Sequence, residues 1–252
     1  MNIKKHIPNA ITCCNLLCGC LAIVQAFEGN LVNAAYLVGA GAIFDFFDGF
    51  AARMLKVSSP IGKDLDSLTD MVTFGVVPGV VMFQLINKTS NLSSDFNINE
   101  NHLDFIAYIG FTKQISYLSF LISIFSAIRL AKFNNDTRQT DSFIGVPTPA
   151  AAMFICSIPL IEEFNHIDFI LNPYVLIVIT VVLSFLLVSE LPLFALKFKH
   201  FKWKDNEIRF VFLGLSLVML ITLQFVGIPL IIIMYILLSV INNIVSKKKA
   251  VS

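Results

Sequence analysis

Apolar runs long enough to cross a bilayer recur through this 252-residue chain, and they limit its fold more than any other feature. They fall at about 10–27, 31–55, 65–86, 115–133, 146–161, 170–191, 208–225 and 228–245. About 20 apolar residues carry a helix through the hydrocarbon layer. Inside lipid every backbone N–H and C=O must find its partner within the protein, so a chain of such runs folds as helices. The composition agrees, with 56% hydrophobic residues, 24 of them Phe, and only 14% charged. The expected fold is all-α: a polytopic transmembrane helical bundle of about eight spans, forming a single membrane domain over residues 1–252.

Charge fixes the expected orientation, because Lys and Arg near span ends stay on the cytoplasmic side. With the N-terminus inside, 16 of the 18 basic residues face the cytoplasm: Lys4, Lys5, Arg53, Lys56, Lys63, Arg129, Lys132, Arg138, Lys197, Lys199, Lys202, Lys204, Arg209 and Lys247 to Lys249. Only Lys88 and Lys113 fall outside, where the loops carry Glu28, Asp95, Glu100, Asp104, Glu162, Glu163 and Asp168. Both termini are therefore expected inside. The near-neutral total of +1 conceals this polarity and gives no reason to expect a nucleic-acid partner. A basic inner face suits anionic lipid headgroups instead. Lys4 and Lys5 precede an apolar run without a small-residue cleavage site, so that run is expected to be retained as a span. A short chain without an organelle-targeting segment points to a bacterial inner membrane. Cys13, Cys14, Cys18 and Cys20 lack His partners and read as small packing residues.

Between the second and third runs stands a fixed pattern: Asp45-x2-Asp48-Gly49-x2-Ala52-Arg53-x8-Gly62-x3-Asp66-x3-Asp70. Asp45 and Asp48 are three residues apart and Asp66 and Asp70 four, so each pair shares one face of its helix. Two such faces turned together make a cage of four carboxylates. An ionised carboxylate at membrane depth costs about 2.5–3.5 kcal/mol on insertion scales, and four together repel. Divalent cations resolve both problems, and an all-oxygen set without His or Cys selects hard ions, Mg²⁺ or Mn²⁺. Gly49 and Ala52 leave room for a ligand to approach the backbone, and Arg53 offers a planar fork suited to phosphate. Val57, Ser58, Ser59 and Pro60 break the helix and return the chain.

This pattern matches every position of the signature of the CDP-alcohol phosphatidyltransferases, membrane enzymes of phospholipid synthesis. Further stretches resemble the phosphatidylserine-synthase branch of that family: Pro8-Asn9-x2-Thr12, Thr73-Phe74-Gly75-x2-Pro78, Arg129-Leu-Ala-Lys132-Phe133-Asn134 and Phe143-Ile-Gly145-Val-Pro147-Thr148-Pro149-Ala150. Lys132 stands where Arg is commoner and Thr73 where Ser is frequent. The resemblance covers residues 1–150, a catalytic core with its signature at 45–70, and leaves 151–252 as additional transmembrane helices.

The resemblance implies that Asp45, Asp48, Asp66 and Asp70 hold two metal ions and that Asp70 is also the general base. It assigns Asn9, Thr12, Asp48, Gly49, Ala52, Arg53 and Ser59 to CDP-diacylglycerol. The implied reaction is attack of the L-serine hydroxyl on the phosphorus bearing diacylglycerol, with CMP leaving, at the cytoplasmic membrane face. A zwitterionic acceptor needs charges of both signs, and Arg129, Lys132 and Asn134 are the candidates for parts of its site. Partners are thus CDP-diacylglycerol, L-serine and membrane lipids, and the apolar spans are compatible with a homodimer. Glycerol 3-phosphate or inositol phosphate as acceptor would want further interior cations, which are few. A divalent-cation transporter would place its carboxylates near the midplane, whereas these lie at span ends beside Arg53 and Gly49.

Overall fold

The computed structural model describes residues 6–57, 59–92, 110, 113–136, 142–194 and 206–251. Helix α1 (His6–Phe27) is followed by α2 (Leu31–Leu55) and α3 (Pro60–Asp70). A six-residue π-helical segment, Met71–Val76, leads without a break into α4 (Val77–Leu92). After the 3-10 turn Ser116–Phe120 come α5 (Leu121–Asn135), strand β1 (Ser142–Ile144) and α6 (Thr148–Asn165). The chain continues through α7 (Pro173–Val188), strand β2 (Pro192–Phe194), α8 (Glu207–Leu223) and α9 (Gly227–Val251). The all-α expectation holds apart from β1 and β2, which pair antiparallel with Ser142 opposite Phe194 and Ile144 opposite Pro192.

Among the described residues, five stretches are long and apolar enough to cross a membrane: His6–Phe27, Leu31–Leu55, Pro60–Thr89, Lys113–Asn135 and Glu207–Ile244. The sequence expectation of eight is not reached by this measure, for physical reasons. Thr148–Asn165 is diluted by Glu162, Glu163 and two prolines, and Pro173–Val188 is apolar but only 16 residues long. Glu207–Ile244 enters as one stretch although Gln224, at φ 49 and ψ −122, breaks it into α8 and α9, which fold back on each other. Lys4, Lys5, Arg138, Lys197, Lys199, Lys202 and Lys204, with Asp95, Glu100 and Asp104, lie outside the described residues.

Small residues set the closest helix pair. Ala22 and Ala26 of α1 and Ala34, Ala35 and Val38 of α2 are buried, which lets the two backbones approach in an environment where lipid offers no hydrophobic gain from association. Larger side chains, among them Phe74, Met82, Leu85, Ile122, Ile155 and Leu176, fill the shared core between α4, α5, α6 and α7. Phe46, Phe47 and Phe50 of α2 are exposed, as expected of a lipid-facing side. The outer helix α8 buries only Phe212.

Candidate active site

The hairpin between α2 and α3 is built by local chemistry. Lys56 takes the left-handed conformation that ends α2, and its N–H donates to the Ala52 and Arg53 carbonyls. Ser59 then caps α3, its Oγ accepting from the Gly62 N–H at 3.0 Å, with Pro60 at the first helical position. A Cβ on Gly62 would stand 3.0 Å from both Asn9 Oδ1 and Ser59 Oγ, so glycine lets α1 close on the turn. α1 packs against both α2 and α3 and completes the site.

Oxygen atoms of Asp45, Asp48 and Asp66 lie within 4.8 Å of one another. Asp48 is buried, and its Oδ2 accepts a hydrogen bond from Thr12 Oγ1 at 2.6 Å. Thr12 Oγ1 also lies 3.1 Å from the Pro8 carbonyl oxygen, so α1 fixes this carboxylate's direction. Asp70 joins the group through its contact with the Asp45 carboxyl, while its Oδ1 is buried without a hydrogen-bond partner. An orphaned buried carboxylate oxygen beside three converging ones is a donor set that fits a hard divalent cation. The π segment begins immediately after Asp70. Its Thr73 donates to the Asn15 carbonyl at 3.2 Å and sits so close to α2 that a Cβ on Gly41 would be 2.8 Å from Thr73 Cγ2. The local widening therefore tucks against α1 and α2 one turn beneath the carboxylates, a placement common for π segments at functional sites.

One cavity borders this group, and a second is lined by Arg129 and Lys132. The first, of about 250 Å³, is lined by Asn9 and Thr12 of α1, Asp48, Gly49 and Ala52 of α2, and Ser59, Lys63 and Asp66 beyond the turn. Six of the seven residues assigned to CDP-diacylglycerol from the sequence thus meet at one opening. Arg53, the seventh, is exposed at its edge, with Nη1 3.5 Å from where a Gly49 Cβ would be. Lys63, read from the sequence only as an inner-face charge, lines the same cavity and donates to the Asn134 carbonyl at 3.3 Å.

A second cavity, of about 370 Å³, opens between the ends of α5 and α7 and is lined by Arg129, Lys132, Asn135, Asp136, Ile144 and the stretch from Leu187 to Glu190. Arg129 is 6% exposed, its Nε has no partner, and its guanidinium carbon lies 5.8 Å from the Phe133 ring centroid. Asn134 faces the other way and donates to Ser67 Oγ of α3 at 2.8 Å. The three candidates for an acceptor site are therefore divided: Arg129 and Lys132 face the cavity, and Asn134 fastens α5 to α3.

Comparison with known proteins decides the family. The model of the CDP-alcohol phosphatidyltransferase family matches residues 5–250, well beyond the first 150 over which the resemblance was read. The chain belongs to that family. Among the relatives of this phosphatidyltransferase are the CDP-diacylglycerol–serine O-phosphatidyltransferase of Bacillus subtilis, 35% identical over 198 residues, which are 79% of this chain and 92% of that one. The protein of the same name from Helicobacter pylori is 33% identical over 215 residues, 84% and 80% of the two chains. An archaetidylserine synthase of Methanothermobacter thermautotrophicus is 28% identical over 176 residues, 67% of this phosphatidyltransferase and 66% of its relative.

Proposed function

We propose that this phosphatidyltransferase transfers the phosphatidyl group of CDP-diacylglycerol to the hydroxyl of L-serine, giving phosphatidylserine and CMP in phospholipid synthesis. The observation that carries the reading is the convergence of Asp45, Asp48 and Asp66, with Asp70 against Asp45, beside a cavity lined by the nucleotide-assigned residues. Asp45, Asp48, Asp66 and Asp70 would hold Mg²⁺ or Mn²⁺, two ions in the full site. The metal, when bound, would offset charge on the diphosphate and the departing CMP. Asn9, Thr12, Gly49, Ala52, Ser59 and Arg53 hold the cytidine diphosphate portion, with Asp48 bordering the same pocket. Asp70 takes the proton from the serine hydroxyl. That oxygen forms the new bond to the phosphorus bearing diacylglycerol as the bond from that phosphorus to CMP breaks. Arg129 and Lys132 face the serine carboxylate, and Asn134 keeps α5 on α3.

The reading includes eight membrane passes with both termini in the cytoplasm of a bacterial inner membrane. Segregated charge supports it: Lys88 and Glu162, both assigned to the outer side, pair at 2.6 Å, while Lys63 and Arg53 sit at the carboxylate end. A water-soluble amino acid then meets a lipid whose tails remain in the bilayer. The test is CMP release by purified protein in detergent with CDP-diacylglycerol and Mn²⁺, offering serine, glycerol 3-phosphate or inositol phosphate in parallel. Turnover with serine alone is expected. Turnover with another alcohol would keep the reaction type and overturn the acceptor, and no release with any of the three would overturn the transferase reading.

A further inference from the structure

The cavity beside the carboxylates holds a cation that the family resemblance did not assign. Among the described residues lining it, Lys63 is the one with positive charge, and Asp48 and Asp66 line it too. Its place in the chain is locally unfavourable. Ser59 caps α3, so Lys63 falls in that helix's first turn, where the aligned peptide dipoles already present positive charge. No acidic residue stands in that turn to offset it. A side chain set against its own helix in this way points to a contact outside the helix.

Part of that contact is visible. Lys63 Nζ donates to the Asn134 carbonyl at 3.3 Å, one of the last carbonyls of α5, which have no partner inside their own helix. Asn134 in turn donates its Nδ2 to Ser67 Oγ at 2.8 Å, so α3 and α5 are tied at this end. The carbonyl is neutral, however, and Lys63 has no ion-pair partner among the described residues. An ammonium carries three donors, and this one is exposed, so a ligand in the cavity can meet both its charge and its remaining N–H groups. On the reading above that ligand is a lipid whose diphosphate carries a negative charge on each phosphate. Of the residues assigned to it from the sequence, Arg53 is the one cation, exposed at the edge of the opening; Asn9, Thr12, Gly49, Ala52 and Ser59 are neutral and Asp48 is acidic. The charge of the four carboxylates matches that of the two divalent ions proposed for them, which leaves Arg53 and Lys63 to balance the diphosphate.

We infer that Lys63 is a further substrate-binding residue, whose ammonium contacts the diphosphate of CDP-diacylglycerol as a point charge. The inference rests on the transferase reading above and adds a residue to it. The test is calorimetric binding of CDP, and of cytidine by competition, to the purified protein in detergent with Mn²⁺. Loss of a hydrogen bond between charged groups predicts about tenfold weaker CDP binding for Lys63→Gln, with cytidine binding unchanged. The KM for CDP-diacylglycerol should rise by the same factor. Lys63→Arg, which keeps the charge, should recover most of the loss. Lys56→Asn removes a cation of the same hairpin that does not line the cavity and should match wild type. Ser67→Ala cuts the other tie between α3 and α5 and should leave CDP binding unchanged. Unaltered CDP binding in Lys63→Gln would overturn the inference. So would an equal loss for cytidine, or a Ser67→Ala that reproduces the defect, since either would make Lys63 a strut between helices. Serine-dependent CMP release by the wild type would keep the transferase reading intact in each of those cases. A wild type that binds no CDP and releases no CMP with any acceptor would overturn both.

Discussion

Asp70 and Thr12 make different demands on the same cage. Asp70 lies against Asp45 with one oxygen unpartnered, so Asp70→Asn keeps the shape and removes the proposed base and one of the proposed metal ligands. Serine-dependent CMP release should fall about 10²- to 10⁴-fold or more, with elution as a folded protein unchanged; activity within a few-fold of wild type would remove Asp70 from the chemistry. Thr12 acts one step back, through its 2.6 Å hydrogen bond to Asp48. Groups that orient a metal ligand are worth about 10- to 100-fold in metal affinity or activity, so Thr12→Val should shift the Mn²⁺ titration of activity upward by that order. The carboxylates were legible because their spacing of three and four repeats the helical turn. Lys63 was not legible as a lining residue of the carboxylate-side cavity, since a single charge beside an apolar run looks the same whether it faces water or a cavity.

At the scale of elements, the crossing of α1, α2 and the π segment depends on the absence of a side chain at Gly41. Alanine there would meet Thr73 Cγ2 at 2.8 Å and Asn15 Oδ1 at 2.9 Å. Overpacking of this kind costs about 1–3 kcal/mol, so Gly41→Ala should lower the thermal unfolding temperature in detergent. Adding Thr73→Ser, which removes the opposing methyl, should restore part of the loss; no restoration would place the strain elsewhere. The break between α2 and α3 was readable from Ser59 and Pro60, whose capping chemistry is local. The π segment and the β1–β2 pair were not readable. The first is a response to packing after Asp70, and the second joins two three-residue segments some fifty residues apart, each too short to carry a periodic signal.

For the whole molecule, the orientation and the metal requirement are the properties to measure. In a background without the native cysteines, Glu163→Cys should react with a membrane-impermeant maleimide in intact cells, and Lys63→Cys only after permeabilisation; the reverse pattern would invert the topology. Stripping divalent ions with a chelator should abolish activity, and Mn²⁺ or Mg²⁺ should restore it, whereas undiminished turnover in chelator would overturn the metal assignment. The sequence by itself determined a helical membrane bundle and the four carboxylates on two helical faces, because helical periodicity, bilayer thickness and local capping act over short stretches of chain; the residues proposed for the nucleotide came from the family resemblance. Only the tertiary structure decided that Asp70 sits against Asp45, that Asn134 turns to α3 while Arg129 and Lys132 line a cavity, and that the stretch from Leu187 to Glu190 supplies part of that cavity's wall. Those relations join residues far apart in sequence, through side-chain directions and backbone pairings that exist only once the helices have packed.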